Sequence, residues 1–147
     1  MPSLWRAEYK AQTFPALGQD ARCDLVVVGS GIAGLSSAYE ASRCGAKVIV
    51  IDRRDITDGM TARTTAHLVS EVDDRYYELI TNIGEENARL YHESQVAALN
   101  RIRAVCQEDG IDADFTRVPG YLIPAEARHM EELQREFDAC RKLGVSV

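Results

Sequence analysis

Cys23-Asp24-Leu25-Val26-Val27-Val28-Gly29-Ser30-Gly31-Ile32-Ala33-Gly34 is a run rich in β-branched residues that ends in glycines spaced G-x-G-x-x-G. A short apolar run of this kind suits a strand buried on both faces. Ile32 to Cys44 follows as a helix rich in Ala, Ser and Leu, with Gly45 at its C′ position. Lys47-Val48-Ile49-Val50-Ile51 reads as the second buried strand, which puts Asp52 at its C-terminal tip. Strand, helix and strand make a βαβ unit over Cys23–Asp52.

The glycines have separate steric jobs. Gly29 permits the tight turn, Gly31 lets the backbone approach a pyrophosphate, and Gly34 lets helix and strand pack closely. The N–H groups of Ser30 through Ala33 are expected to face the phosphates, helped by the positive end of the helix dipole. Alone, a G-x-G-x-x-G string is a weak signal that often marks only a turn. Inside a βαβ unit, with an acid after the second strand, it points to a dinucleotide. The Asp52 carboxylate is expected to accept both hydroxyls of an adenosine ribose and to repel a 2′-phosphate, which disfavours NADP. The bland alternative is a solvent-facing carboxylate at a strand end. Arg53 is expected along the adenosine, and Arg54 at the surface.

The cradle alone does not separate NAD from FAD. The loop after Asp52 tips the choice. Gly59-Met60-Thr61-Ala62-Arg63-Thr64-Thr65-Ala66-His67-Leu68 is rich in hydroxyls and backbone donors, and such a loop can reach the pyrophosphate and then a flavin ring. An NAD-type unit usually runs straight into another helix. The loop over Arg53–His67 is also long for a compact domain, which marks it as functional.

Further along, a short helix is expected over Arg75–Ile83 and a long one over Glu85–Glu108. In the latter Ala88, Tyr91, Gln95, Ala98, Ile102 and Val105 recur at helical spacing. Phe115 to Ile123 has β-type residues around Pro119-Gly120 and suggests a hairpin or bent strand. Ala125 to Leu143 is again helical, with Met130, Leu133, Phe137 and Cys140 on one stripe and Gly144 as the stop. Val145-Ser146-Val147 looks like the start of another strand. Residues 1–22 read as an irregular lead-in that packs on the domain, and 23–147 as the N-terminal part of a dinucleotide-binding domain, incomplete by itself.

Composition excludes several classes. With 147 residues, 46% hydrophobic and 27% charged, the chain suits a globular domain. Its net charge of −6, without a run of one sign, offers no nucleic-acid footprint and no polybasic membrane patch. Cys23, Cys44, Cys106 and Cys140 stand apart, so no metal site is expected. Isolated thiols without a signal peptide fit the cytoplasm, each as a small buried hydrophobe.

The strand, the Gly29–Gly34 cradle, Asp52 and the Gly59–Leu68 loop resemble the FAD-dependent D-amino-acid oxidase and glycine oxidase family. The Thr61–Leu68 stretch, Asp73–Leu79 and Gly110–Tyr121 are similar to a bacterial subgroup that often carries a C-terminal Rieske domain. The resemblance implies a Rossmann-like, three-layer α/β domain with a parallel sheet and added helices. It implies that Ile32 and Ala33 touch the pyrophosphate, that Asp52 and Arg53 hold the adenosine, and that Thr61 binds phosphate. Thr65, Ala66 and His67 would contact the flavin side, with Thr64 in the same loop. Some relatives attach FAD covalently through a histidine whose place is taken here by Arg63, so the resemblance implies non-covalent FAD. Arg63 either lies over the flavin or braces the loop, and His67 either touches the cofactor or orients the loop.

The expected function is an FAD-dependent oxidoreductase that oxidises a C–N bond of a small amine or amino acid by hydride transfer to flavin. An NAD-linked dehydrogenase and a truncated fragment without activity of its own are the rivals. Substrate residues, the covering sheet and any Rieske ligands are not encoded in these residues, so no catalytic residue and no electron acceptor is assigned.

Overall fold

The computed structural model describes residues 12–56, 58–71 and 74–147. It divides into two compact units, Met1–His67 and Leu68–Val147.

In the first unit, β1 (Leu25–Val28) and β2 (Val48–Ile51) pair in parallel, with Leu25 opposite Val48 and Val28 opposite Ile51. Helix α1 (Ile32–Arg43) connects them and packs on both strands. This is the crossover that parallel strands require. The Gly29 N–H extends the ladder to the Ile51 carbonyl at 2.8 Å, which seats the first glycine level with the end of β2. The α1 C-terminus closes at Cys44, and Gly45 follows with φ +87, as its C′ position predicts.

Burial of β1 on both faces is not observed. Val27 is half-buried, whereas Val26 and Val28 are exposed, Val28 by 80%. A pair of strands with one helix on it has a single covered face. Residues 12–22 are irregular as expected, yet they are exposed rather than packed; the start of the lead-in, residues 1–11, lies outside the described residues. After β2 the chain loops to a 3-10 turn at Met60–Arg63, whose Ala62 is buried.

The second unit is helical. Helices α2 (Tyr76–Ile83), α3 (Glu85–Glu108) and α4 (Met130–Leu143) pack together, with a 3-10 turn at Ala127–His129 before α4. Their core is Tyr76, Ala88, Ala139, Cys140 and Leu143. Gly84, at φ +82 between α2 and α3, makes a corner that most side chains would strain. Along α3, Ala88 is buried and Tyr91, Gln95, Ile102 and Val105 are half-buried, but Ala98 is exposed. No described helix is long and apolar enough to cross a membrane.

Three expectations fail here. Phe115–Ile123 forms no strand: Val118, Tyr121 and Ile123 are exposed, and β propensity without a pairing partner yields irregular chain. Val145–Val147 is not a strand either; the Val145 N–H bonds the Cys140 carbonyl at 2.9 Å and the Gly144 N–H bonds Arg141. With Gly144 left-handed, this is a Schellman closure of α4. The expected α4 stripe is also rotated. Phe137 and Met130 are exposed, and Glu136, Ala139, Cys140 and Leu143 are buried.

Glu136 turns inward because α2 needs it. Its two carboxylate oxygens accept the Tyr76 N–H at 3.0 Å and the Tyr77 N–H at 3.2 Å. These are N-terminal amides of α2 without an intrahelical partner, and Arg75 at the cap supplies no side-chain bond. Beside this cap Tyr76, only 1% exposed, donates from its hydroxyl to the Ser70 carbonyl and meets His92 Nδ1 at 2.8 Å. Burial pushes its phenol well above the usual range. Of the cysteines, Cys140 is buried, which raises its thiol to about 11, while Cys44 is exposed, contrary to expectation.

Candidate functional site

The turn from β1 into α1 carries the site. Gly29 adopts φ +105, a conformation in which a side chain would be strained. At Gly34 a Cβ would strike the Gly29 carbonyl oxygen and stand 3.2 Å from Val27 Cγ1. The third glycine is therefore required by helix–strand approach, as its place in the motif predicts. At Gly31, a Cβ would have Thr61 Oγ1 within 3.8 Å. Gly31 is the extended N-cap of α1, with no side-chain cap of its own.

Two elements remote in sequence converge on this turn. Asp52, just past β2, accepts the Ser30 N–H and the Ser30 hydroxyl on Oδ2, both at 2.8 Å. Its Oδ1 accepts the Arg54 N–H at 3.0 Å. The Ser30 amide first, then the Arg54 amide and the Ser30 hydroxyl, lower the Asp52 carboxyl to about 2. The group is thus an anion at any physiological pH. From the following loop, Thr61 Oγ1 accepts the Ile32 N–H at 3.0 Å.

These bonds change the donor inventory. All the amides of Ser30–Ala33 were expected to face phosphate, but Ser30 gives its N–H to Asp52, and Ile32 gives its N–H to Thr61. Gly29, Gly31, Ile32, Ala33, Gly34, Asp52 and Thr61 are gathered at one end of the βαβ unit. Arg53 follows Asp52 in an exposed bend.

The rest of the loop is exposed. Arg63 ends the 3-10 turn, and Thr64, Thr65, Ala66 and His67 continue from it without regular structure. The Ala66 N–H bonds Thr64 Oγ1 at 3.1 Å and the His67 N–H bonds Thr65 Oγ1 at 3.4 Å. These hydroxyl-to-backbone turns fold the segment locally. Ala66 has φ +56, a left-handed conformation uncommon for alanine. Thr57 and Asp73 lie outside the described residues. Among the described residues no His, Cys, Asp and Glu cluster could hold a metal ion.

Sequence reasoning missed Ser30. A serine between the first two glycines is an ordinary spacer in the pattern; only the fold shows that its buried side chain reaches an acid 22 residues later.

The residues present fit an ADP-containing cofactor. Gly29 holds the left-handed turn, Gly34 lets helix and strand meet, an anion-favouring helix N-terminus opens there, and a permanent carboxylate stands beside it. Comparison with known proteins agrees. The FAD dependent oxidoreductase family matches residues 24–147. YhfW of Bacillus subtilis, named as a Rieske 2Fe-2S iron-sulfur protein, is 33% identical over 143 residues, which is 97% of this chain and 28% of YhfW. Gamma-glutamylputrescine oxidoreductase of Escherichia coli is 25% identical over 135 residues, 92% of this chain and 32% of that enzyme. Sarcosine oxidase subunit alpha of Rhizobium meliloti is 38% identical over 63 residues, 43% of this chain and 6% of the subunit. The chain thus spans less than a third of the length of the first two relatives. No solved structure matches it. A glycine cradle with its acid and hydroxyl loop, matched across residues 24–147, places this chain in the FAD-dependent oxidoreductase family.

Proposed function

We propose that this chain holds the ADP half of a non-covalently bound FAD, as the front part of an enzyme that oxidises a C–N bond in a small amine or amino acid. The observation that carries the reading is the convergence of Asp52 and Thr61 on the Gly29–Gly34 turn. When bound, FAD accepts the hydride from the carbon next to nitrogen. The chain's own residues bind and orient it. Gly31, Ile32 and Ala33 line the pyrophosphate path with backbone, Thr61 adds a hydroxyl, and Asp52 with Arg53 takes the adenosine. Arg63, Thr64, Thr65, Ala66 and His67 form the loop assigned to the flavin side.

The names of relatives support the substrate class, since gamma-glutamylputrescine and sarcosine are both amines. Family membership favours FAD over the NAD alternative. Non-covalent attachment rests on Arg63 standing where some relatives have a histidine. A cytoplasmic location rests on the isolated, free thiols. The domain is read as 23–147, the first part of a longer FAD-binding domain, after the lead-in 1–22.

The test is a visible spectrum of the complete gene product, followed by acid precipitation and an amine and amino-acid screen. A flavin spectrum whose yellow colour leaves with the supernatant, and bleaching by an amine, are expected. A colourless protein that takes up no added FAD would sink the reading.

A further inference from the structure

We propose that Ser30 is a positioning residue that fills one oxygen of Asp52, so that the carboxylate holds one hydroxyl of the adenosine ribose instead of both. The inference rests on the ADP-cradle reading above and adds its recognition rule.

A carboxylate offers about four lone-pair positions, two on each oxygen. On Oδ2 both are taken, by the Ser30 N–H and the Ser30 hydroxyl at 2.8 Å each. On Oδ1 the Arg54 N–H takes one at 3.0 Å. Among the described residues this leaves a single acceptor position, on Oδ1. The ribose diol has two O–H donors, so gripping both requires an Asp52 bond to break. The backbone bonds are fixed by the turn and by the bend after β2, and the Ser30 hydroxyl is the one movable donor. Its side chain is confined, because Ser30 is 7% exposed. The bond is charge-assisted and made within the turn itself, so the hydroxyl stays on Asp52. The same contacts fix the plane of the carboxylate before the cofactor arrives, which lowers the ordering cost of binding.

The test uses the flavin-free complete gene product, with calorimetric titration of ADP, 2′-deoxy-ADP and 3′-deoxy-ADP. In the natural protein one deoxy compound is expected within about twofold of ADP, and the other roughly tenfold to a hundredfold weaker, the worth of one hydrogen bond to a charged group. Ser30→Ala frees a position on Oδ2, so both deoxy compounds become weaker than ADP. Ser30→Thr, which keeps the hydroxyl, restores the one-sided pattern. Ser30→Cys, with a weak donor, shifts toward the two-sided one and serves if the alanine variant does not fold. A two-sided loss in the natural protein overturns the inference, as does a loss for neither compound. So does a one-sided pattern that Ser30→Ala and Ser30→Cys leave untouched. If ADP itself does not bind, the cradle reading fails with it, which is a separate result from a wrong ribose pattern.

Discussion

Asp52 concentrates the electrostatics of the site in one side chain. Its carboxyl is lowered from 3.8 to about 2 by donors that bond the anion, the Ser30 amide foremost. A group whose folded pKa lies below its unfolded value contributes stability above the unfolded pKa and loses it as pH falls through the folded one. For Asp52 that window runs from about 4 down to about 2. The side chain is solvent-exposed, so the contribution is screened and small. Asp52→Asn is therefore expected to flatten the acid limb of stability only slightly, measurable by circular dichroism between pH 4 and 2. Its effect on cofactor should be larger. Loss of a charge-assisted bond to ribose predicts roughly tenfold to a hundredfold weaker FAD binding, read by flavin fluorescence quenching. Unchanged affinity in Asp52→Asn would remove the ribose role.

At the scale of elements, two junctions are held by single residues. Where α1 meets β1, Gly34 leaves no room for a methyl group, since Gly29 backbone and Val27 fill the space. Gly34→Ala forces backbone movement rather than a side-chain shift, and costs about 1–3 kcal/mol or more as overpacking. Flavin loading of the purified variant should fall, with a lower melting temperature by scanning fluorimetry. Where α4 meets α2, the buried Glu136 carboxylate caps two amides and favours the positive end of the α2 dipole. Glu136→Ala leaves the two donors without that partner and costs about 2–3 kcal/mol. Amide exchange over α2 should then speed up by roughly thirty- to a hundred-and-fifty-fold, while Glu136→Gln, which keeps one acceptor, gives an intermediate value. Exchange unchanged in Glu136→Ala would show that the cap is dispensable.

These junctions also mark what sequence patterns carry. Helix α3 is legible because Glu85 and Glu86 open it and Gly110 follows it. The Gly34 requirement is legible because it belongs to a short local motif. The face of α4 is not legible from hydropathy, because a buried glutamate serving a helix 60 residues away outranks the apolar Phe137. The Ser30 grip on Asp52 is hidden for the same reason: it exists only once β1 and β2 are paired. Phe115–Ile123 misleads in the opposite sense, since strand-forming residues need an edge to pair with.

For the whole molecule, the telling quantity is apolar surface left in water. In the first unit Val26, Val28 and Ile32 are exposed around the sheet. The β1–β2 pair has one covering helix and unpaired outer edges among the described residues. In the second unit Val118, Tyr121 and Ile123 are exposed in one irregular stretch, Tyr121 by 82%. Scattered apolar residues are normal on a surface, but contiguous ones on strands and neighbouring positions favour association. Net charge of −6 opposes this only weakly over 147 residues. The 147-residue chain by itself is therefore expected to self-associate and to bind the dye ANS strongly. Size-exclusion chromatography with light scattering checks the first, and dye fluorescence the second. Added salt separates the causes: screening of the acidic surface should increase association if apolar contact drives it, and decrease it if ion pairs do. A monomeric, dye-silent chain at high salt would mean that these faces are stably solvated as they stand.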